Sequence, residues 1–582
     1  MSTSELPTPQ RSGRQVGAVA LLLAASLSAA GGQQRPDAPH QTAPGPRPGV
    51  PSTGPRDGPP GGPETALTGT ARITGRVVVA DTGAPLRGVL VGVVGAEQQG
   101  RATTTDADGR YELGGLPAGR YSAVAAKAGY VSVAYGQRRP NERGRPIELD
   151  GRRHVANIDF SLARGSVITG RVTDELGEPV ANLSVSVMQY RYVSGRRQLV
   201  PAGRAHTDDR GQYRVFALPA GDYYVSAFAD DTSPGAPAGQ PMAIAATYFP
   251  GTLELHEAQR VRVGTGEESA AVSFAIVPAR PLAVSGTVVD SAGDPAHSGV
   301  VIMRAEGPAM LARPSIIPLG PGGTFSIGGL APGAYALHVS LGEGPDAAES
   351  AAVSMTMTSA DLTGVTIVTS PASRITGELV FESTPAHSVM PSEFRFVLRP
   401  DDPVPPTSGV SPFAPDHDWG FQTLAHRSPA FFHAFQTPDG WALKAVLYGG
   451  VDVMDSGLEF RSGERVDGVQ LVISNRFGTV IGTVVDEGGR PVSDFTAVAF
   501  AEEPSRWTPM SRYVAIARPS QHGTFAIDKL PAGRYLAAAV DYLEEGRHGD
   551  PEYLEMLRAY ATPFELRDGE RRALKLEVVH VD

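Results

Sequence analysis

The sequence contains no cysteine among its 582 residues. This absence excludes disulfide bonds, thiol nucleophiles, thiolate metal ligands and a lipid-modified N-terminal cysteine. Charged residues are scarce as well, at 19%, and the net charge is −11. Binding to nucleic acid requires a basic surface, which a chain with this charge balance is not expected to have. We therefore expect no nucleic-acid partner, and any chemistry must come from other residue types.

The motifs of common hydrolases and nucleotide-binding enzymes are missing too. No histidine is followed three residues later by glutamate, and H-E-x-x-H, G-x-S-x-G and G-x-x-x-x-G-K-[ST] do not occur. A zinc hydrolase needs three protein ligands and an open position for water. The sequence thus predicts a protein that is not an enzyme and has no cofactor and no metal.

Two weaker signals for a metal also favour a structural interpretation. The segment Asp106–Gly109 begins like a calcium-binding loop, but Pro117 stands where such a loop carries glutamate. An aspartate and a glycine at this spacing are typical of a hairpin turn. His417, His426 and His433 share the segment 399–435, but their spacing matches no ligand motif, so a surface loop is the better interpretation.

A long apolar run occurs only near the N-terminus. Arg11 and Arg14 precede the uncharged run Val16–Leu27, and small residues follow as far as Ala30. This pattern predicts a signal peptide over residues 1–30, and hence a secreted, periplasmic or cell-surface protein. An uncleaved anchor is the alternative, but the run is short for a span of about 20 residues, so we expect no transmembrane span after cleavage.

Proline and glycine dominate the next segment, residues 31–71. Such a composition offers too little apolar surface to offset the entropy of ordering the chain. We predict an extended, disordered linker here.

The rest of the chain repeats itself at intervals of about one hundred residues, the size of a small complete domain. Five segments share an apolar-x-Gly-x-apolar opening: Ile73–Val77, Ile168–Val172, Val284–Val288, Ile375–Leu379 and Val480–Val484. All but the fourth are followed by a second phrase that ends in Gly-x-Tyr: Leu116–Tyr121, Leu218–Tyr223, Leu330–Tyr335 and Leu530–Tyr535. The repeat therefore predicts a series of similar domains.

Short alternating segments separated by turn signals every 8–12 residues indicate strands, as in Leu183, Val185 and Val187. We predict an all-β fold, a linear array of about five seven-stranded Greek-key β-sandwich modules. The predicted modules are 72–163, 164–279, 280–370, 371–475 (divergent, with an insert) and 476–582. The clearest helix candidate is Pro551–Tyr560, and a shorter one lies around Leu253–Ala258.

The patterns I-[TS]-G-x-V, D-x-x-G-x-[YF] and L-[PA]-[AP]-G-x-Y resemble the carboxypeptidase regulatory-like domain over residues 72–582. The resemblance implies transthyretin-like β-sandwiches, also described as a carbohydrate-binding-like fold, in a tandem array of the bacterial secreted type. The fourth module departs from the family pattern, because its second phrase reads Gln436–Leu443 and a long insert, Arg399–Phe435, precedes it.

The glycines and tyrosines of the second phrase are predicted to be structural turn and corner residues. These are Gly119 and Tyr121, Gly221 and Tyr223, Gly333 and Tyr335, and Gly533 and Tyr535. Trp441 takes the place of the tyrosine in the fourth module and is predicted to lie in the core.

Three hypotheses for function follow. The first is a secreted, non-enzymatic binding or scaffold array at the cell envelope. The second is a carbohydrate-binding protein that stacks exposed aromatic rings on sugars, with Trp507, Trp419 and Tyr248 as the main candidates, and Tyr190 and Tyr192 as further ones. The third is a regulatory subunit of a secreted peptidase. The expected partner is accordingly a glycan or an envelope protein.

Overall fold

The computed structural model describes residues 69–95, 100–150, 154–229, 243–307, 314–342, 349–383, 389–400, 412–438, 440–508 and 511–581. The predicted signal peptide and nearly all of the predicted linker lie outside these ranges, as does part of the fourth-module insert. Within them the regular structure is almost entirely β-strand. The prediction of an all-β chain of sandwich modules is confirmed.

The strands of the first predicted module are β1 (Ala71–Val79), β2 (Leu90–Gly95), β3 (Arg101–Thr104), β4 (Arg110–Leu116), β5 (Gly119–Ala126), β6 (Val133–Ala134), β7 (Ile147–Leu149), β8 (His154–Val155) and β9 (Phe160–Leu162). Those of the second are β10 (Ser166–Thr173), β11 (Ser184–Val193), β12 (Arg196–His206), β13 (Gln212–Leu218), β14 (Gly221–Phe228), β15 (Ala243–Ile244), β16 (Thr247–Tyr248), β17 (Val261–Val263), β18 (Glu268–Ser269), β19 (Phe274–Ala275) and β20 (Pro278–Ala279).

The strands of the third are β21 (Leu282–Val289), β22 (Val300–Ala305), β23 (Ser315–Pro318), β24 (Thr324–Leu330), β25 (Gly333–Leu341), β26 (Glu349–Met357), β27 (Leu362–Val368) and β28 (Ser370–Pro371). The strands of the fourth are β29 (Ser373–Phe381), β30 (Arg395–Pro400), β31 (Gly420–Ala425), β32 (Ala430–Gln436), β33 (Ala442–Tyr448), β34 (Val451–Asp452) and β35 (Arg465–Ser474).

The fifth contains β36 (Gly478–Val485), β37 (Pro491–Val492), β38 (Thr496–Ala501), β39 (Val514–Ala517), β40 (Phe525–Leu530), β41 (Gly533–Val540), β42 (Thr562–Leu566) and β43 (Arg571–Val579), with the helix α1 (Pro551–Arg558) before β42. Short 3₁₀ turns occur at Leu255–Glu257, Pro321–Gly323, Pro391–Glu393, Pro504–Arg506 and Arg547–Gly549.

The opening strand of every module has the same two neighbours. It pairs antiparallel with the strand of the Gly-x-[YF] hairpin, as β1 does with β4, and parallel with the strand that closes the module, as β1 does with β9. The corresponding pairs are β10 with β13 and β19, β21 with β24 and β27, β29 with β31 and β35, and β36 with β40 and β43. The opening strand of each predicted module is thus paired with a strand near the end of the same module.

A second sheet covers the first and encloses the core. In the first module its order is β3-β2-β5-β6, and in the second β12-β11-β14-β16. Period-2 alternation places every other side chain between the sheets, as Val185, Val187 and Val225 lie in the second module. The buried residues form clusters that each draw on one predicted module.

The fifth module adds a helical layer. Helix α1 begins behind Asp550, whose side chain accepts a hydrogen bond from the backbone N–H of Glu552, and Pro551 occupies its first turn. Its apolar side chains, among them Leu554 and Leu557, pack on the outer face of the β38–β41 sheet. The predicted helix Pro551–Tyr560 is therefore present, ending at Arg558, whereas the region around Leu253–Ala258 forms a single 3₁₀ turn.

Contacts divide the chain into two compact units, residues 1–137 with 144–164, and residues 138–143 with 165–582. The five module boundaries stay predictions. Within the second unit, contacts are not limited to sequence neighbours: Gly195, at the tip of the β11–β12 hairpin, donates its N–H to the carbonyl oxygen of Gly546 over 3.1 Å. The second and fifth modules are thus in direct contact, although both are linked in sequence through two others.

Candidate functional site

The four tyrosines of the second phrase make one identical contact. Each hydroxyl donates to the carbonyl oxygen of the residue four positions earlier: Tyr121 to Pro117 (3.0 Å), Tyr223 to Pro219 (2.7 Å), Tyr335 to Ala331 (2.8 Å) and Tyr535 to Pro531 (2.8 Å). Burial raises the pKa of Tyr223 to about 12 and also raises that of Tyr535. The hydroxyls of Tyr223 and Tyr535 are therefore neutral near pH 7, and all four hydroxyls are engaged in closing a turn.

The glycine of each opening phrase lies against the backbone of a segment late in the same predicted module. A Cβ at Gly75 would lie 1.9 Å from the carbonyl oxygen of Ile158. The same carbonyl approach recurs in every module: Gly170 with Val272 (1.9 Å), Gly286 with Val365 (1.8 Å), Gly377 with Val469 (1.8 Å) and Gly482 with Leu574 (2.2 Å). No side chain fits at these positions, so glycine is required by packing.

The segment that resembles a calcium loop is a hairpin turn. Asp106 Oδ1 accepts the backbone N–H groups of Asp108 (2.9 Å) and Arg110 (2.8 Å), and Gly109 has a φ of 72°. Asp208 accepts the equivalent pair of N–H groups in the second module. Across the described ranges no group of three or more histidine, aspartate and glutamate side chains could hold a metal ion.

Trp507, predicted to be an exposed stacking residue, is 5% exposed, so that prediction is wrong. Its indole N–H donates to the carbonyl oxygen of Ala501 over 2.8 Å, and its ring meets Phe500 edge-on. The guanidinium of Arg558 lies over the ring at 5.1 Å. The polar residues around Trp507 in the sequence concealed that α1 and the β38–β41 sheet cover it.

Tyr248 is also buried, at 5% exposure, and is not available for stacking. It lies on β16 at the position opposite Ser226, and burial raises its pKa to about 12. Trp419 is half-buried, with its ring packed edge-on against Phe381 at 4.7 Å and Phe394 at 5.8 Å. Among the aromatic candidates, Tyr190 is 37% exposed, with the guanidinium of Arg197 over its ring at 4.9 Å.

The fourth module is built around aromatic side chains. Trp441 is buried, as predicted from the repeat, and meets Phe381 edge-on. The three histidines of the segment 399–435 do not lie together in one loop: His417 is exposed in the turn before β31, His426 lies between β31 and β32, and His433 is on β32. Burial, with Arg399 nearby, lowers the pKa of His433, so its imidazole is neutral near pH 7.

Charged side chains hold the fourth and fifth modules together, and the repeat gave no sign of them. Lys444 Nζ lies 2.5 Å from Glu382 Oε1 and 2.9 Å from Asp568 Oδ2. Burial would lower the pKa of Lys444, but hydrogen bonds and attraction to these two carboxylates raise it. This lysine is therefore protonated and joins one carboxylate of each module.

Arg512 plays the same part from the fifth module. Its Nε lies 3.0 Å from Asp455 Oδ2, and its Nη2 pairs with Asp452, both on the fourth module. Burial acts against the charge on Arg512, yet the two aspartates raise its pKa overall. The contact thus comprises two basic side chains, those of Lys444 and Arg512, and four carboxylates. The carboxylates are those of Glu382, Asp452, Asp455 and Asp568.

A further charged cluster lies on the fifth module. Arg518 is fully buried and pairs with Glu142, whose side chain is equally buried, and with Asp494 Oδ1 at 2.7 Å. Residues 138–143 belong to the second unit, although the sequence places them in the first predicted module. A buried ion pair requires both partners, because removing one leaves an uncompensated charge in the interior.

Comparison with known families identifies the repeat. The sequence profile of the carboxypeptidase regulatory-like domain matches residues 72–162 and 167–247. Residues 72–162 and 167–247 are thus two tandem carboxypeptidase regulatory-like domains. The comparison with curated proteins gave no match.

Several solved structures resemble these regulatory-like domains locally. A streptococcal ancillary pilin is 12% identical, with 51% of this chain and 98% of the pilin covered and a TM-score of 0.20. The minor pilin GBS52 of Streptococcus agalactiae is 15% identical, with 36% and 98% covered and a TM-score of 0.20. The Bacillus anthracis TIE protein is 9% identical, with 72% and 74% covered and a TM-score of 0.15. Scores this low support no conclusion about this chain.

Two kinds of residue can be distinguished, those that recur from module to module and those that occur once. The repeated glycines, aspartates and tyrosines serve the fold of each domain, whereas Lys444, Arg512 and Arg518 occur once each and join parts of the second unit. Sequence reasoning missed these three because an isolated basic residue carries no spacing signal. One signal was available: each of these basic residues stands in a stretch of uncharged residues, as Arg518 does directly after Val514–Ala517. No helix in the ranges that the structure describes is long and apolar enough to cross a membrane.

Proposed function

We propose that the protein is exported and acts, without catalysing a reaction, as a binding scaffold of β-sandwich modules at the cell envelope. The observation that supports this most directly is the set of ion pairs between the fourth and fifth modules around Lys444 and Arg512. A scaffold must hold its modules in a fixed arrangement, and partly buried ion pairs of defined geometry restrict rotation about the short link between them.

The use of the repeated residues supports the non-catalytic part of the proposal. The positions that recur from module to module are those of turn aspartates, packed glycines and neutral corner tyrosines. Catalytic groups need pKa values matched to proton transfer near neutral pH. A tyrosine with a pKa of about 12 that donates to a carbonyl does not meet this requirement.

Limited proteolysis of the full chain tests the scaffold role. We expect the wild type to resist cleavage between Ser474 and Gly478, and the double variant Lys444→Met, Arg512→Met to be cut there at least tenfold faster. Arg465→Met is the matched control, because Arg465 is exposed and pairs only with its near neighbour Asp467. Equal cleavage of wild type and double variant would contradict the proposal.

Export is tested separately. The full chain with a C-terminal tag is expressed in a bacterium with and without residues 1–30, and the cell fractions are compared. We expect the intact chain in the envelope or medium, with a new N-terminus near residue 31, and the shortened chain in the cytoplasm. Retention of the intact chain in the cytoplasm would contradict the export proposal.

Carbohydrate binding is the second candidate function, now through Tyr190. Its ring is partly exposed next to Arg197 on the outer face of the β11–β12 hairpin, where an aromatic face beside a hydrogen-bond donor suits a sugar ring. A glycan array with wild type and Tyr190→Ala tests it, and Trp507→Phe serves as a control because Trp507 is buried. The peptidase-subunit hypothesis is tested by co-purification from the envelope fraction.

A further inference from the structure

Residues 138–143 form a tight turn within the second unit. The backbone N–H of Glu142 donates to the carbonyl oxygen of Arg139, and Glu142 Oε2 accepts the N–H groups of Arg138 (2.8 Å) and Arg139 (3.2 Å). The turn therefore closes on its own glutamate, and its sequence is Arg-Arg-Pro-Asn-Glu-Arg. These internal hydrogen bonds hold the backbone of the turn in one conformation.

Five residues of the fifth module contact this turn, and we call the surface they form the turn-binding groove. They are Asp494, Arg518, Asp541, Tyr542 and Glu545. At the buried end of the groove Arg518 pairs with Glu142, both side chains being 1% exposed. Arg518 also contacts Asp494 Oδ1 at 2.7 Å, and Asp494 Oδ2 lies 3.0 Å from Arg138 Nη1. Charges of alternating sign thus run from the turn into the groove.

The open end of the groove contacts Arg139 and two backbone carbonyl groups of the turn. Arg139 Nη2 lies 3.1 Å from Asp541 Oδ2, and its guanidinium covers the ring of Tyr542 at 5.1 Å. The Tyr542 hydroxyl donates to the carbonyl oxygen of Pro140 over 3.0 Å. The backbone N–H of Glu545 donates to the carbonyl oxygen of Asn141 over 2.8 Å.

The side chains of Arg138, Arg139 and Glu142 thus each have a partner in the groove, as do the carbonyl oxygens of Pro140 and Asn141. The most selective is the glutamate, because a buried guanidinium without its carboxylate is strongly unfavourable. A peptide with glutamine at this position would still fit by size but would leave Arg518 with one acidic partner fewer. The groove is therefore specific for sequence as well as for shape.

We propose that the turn-binding groove is a peptide-recognition site for an Arg-Arg-Pro-Asn-Glu turn, and that the turn of a second copy of this chain can occupy it. Each copy carries both the groove and the turn that fits it. Exchange of identical segments between copies makes the same bonds as the closed chain, so its cost in contacts is small. The groove then links copies of an envelope scaffold side by side, which extends the function proposed above.

Two complementary variants of the full chain test the exchange. Glu142→Gln keeps an intact groove but a weakened turn, whereas Arg518→Gln keeps an intact turn but a weakened groove. Mixed at equal concentration, the pair can restore one native site between two chains. We expect sedimentation velocity to show a heterodimer in the mixture at least tenfold more abundant than dimers of either variant alone. A mixture that sediments like the separate variants would overturn the exchange.

Peptide binding tests recognition independently of assembly. A fluorescent peptide with the sequence of residues 137–144 is titrated into the Glu142→Gln chain, alongside the same peptide with glutamine in place of its glutamate. We expect the glutamate peptide to bind at least tenfold more tightly than the glutamine peptide, and at least tenfold more tightly to this chain than to wild type, whose groove is filled. Equal binding of the two peptides would overturn the proposed recognition.

Circular dichroism of each variant checks that it is folded. If Arg518→Gln fails to fold, Asp541→Asn replaces it, because Asp541 is partly exposed and its carboxylate contacts the second arginine of the turn and, outside the turn, His580. The peptide comparison needs the Glu142→Gln chain alone, or wild type at high peptide concentration, and so decides recognition in either case. The two proposals can fail separately. If the proteolysis and export tests fail while the peptide still binds, the proposed function is contradicted and the recognition site is not.

Discussion

The fourth module and the other four close the same turn in opposite directions. In the others a tyrosine hydroxyl reaches back to the carbonyl oxygen four residues earlier, as Tyr335 does to Ala331. In the fourth, Thr437 Oγ1 reaches forward over 2.9 Å to the carbonyl oxygen of Trp441, again four residues away. The span is the same, but the donor has moved from one end to the other.

The opening glycine shows no such freedom. Gly377 of the fourth module meets the carbonyl oxygen of Val469 as closely as Gly286 of the third meets that of Val365. A hydrogen bond can be replaced by another with a different donor, but a backbone carbonyl at this distance leaves no room for any side chain. The comparison teaches that the fold requires the glycine strictly and the tyrosine only approximately.

The largest expected effect is that of Gly377→Ala. We expect it to lower the free energy of unfolding by more than about 3 kcal/mol, because either Val469 or the opening strand must move. Gly286→Ala should lower the free energy of unfolding by a similar amount, which would show that the third and fourth modules require this glycine equally. Gly328→Ala, with open space around its Cβ, is the control and should change stability by less than about 0.5 kcal/mol. Urea unfolding measures all three, and a mild effect at Gly377 would break the comparison.

Trp441→Ala should be the next largest. Removing a buried indole from the aromatic core beside Phe381 is expected to cost about 3 kcal/mol, at the lower end of the range for large aromatic residues. Trp441→Tyr introduces the tyrosine that the other modules carry at this position. It should retain more than half of the stability that Trp441→Ala loses. Thermal unfolding followed by near-UV circular dichroism measures both; no recovery with tyrosine would mean that the fourth core accepts tryptophan alone.

The two turn-closing hydrogen bonds should be worth about the same. Tyr335→Phe and Thr437→Val each remove one donor and are expected to cost about 1 kcal/mol. Tyr560→Phe is the control, because Tyr560 is exposed and should have almost no effect. If Thr437→Val were neutral while Tyr335→Phe was costly, the fourth turn would not depend on its threonine.

The smallest effect concerns the contact that the fourth module makes with the fifth. Burial would raise the pKa of Glu382, but hydrogen bonds from Lys444 and Ser474 and the charge of Lys444 lower it overall. A carboxyl whose pKa is depressed by folding stabilises the fold above its unfolded pKa, near 4.5, and this contribution is lost as the pH falls through the lower folded value.

We therefore expect Glu382→Gln to lose less than about 1 kcal/mol near pH 7 and to differ less and less from wild type as the pH falls below 4.5. Urea unfolding between pH 7 and pH 3 measures the difference. Glu378→Gln is the matched control, since Glu378 lies on β29, which ends one residue before Glu382, and its carboxylate accepts a hydrogen bond from the neutral amide of Gln470. A difference that grew toward low pH would contradict the assigned role.

Much of the fold could be predicted because its signals are local. A glycine after an aspartate, a tyrosine after Pro-Ala-Gly-x and alternation over six residues each specify a turn or strand within a few residues of chain. Exposure was harder to predict. Trp507 stands among prolines and charged residues in the sequence, and only the arrival of α1, some forty residues later, covers it.

The candidate site was largely beyond the reach of the sequence. Lys444 and Asp568, or Glu142 and Arg518, are far apart in the chain, and single charged residues show no periodicity that would pair them. Residues 138–143 lie within the first predicted module, yet their contacts group them with the second unit.

By itself the sequence determined that the chain is an all-β series of sandwich modules that begins with two regulatory-like domains, because turns and strands depend on short-range backbone geometry. Only the tertiary structure decided why the opening glycine is needed, which aromatic rings are buried, and which charges meet. Those features depend on contacts between segments that come together only when whole modules have folded and packed.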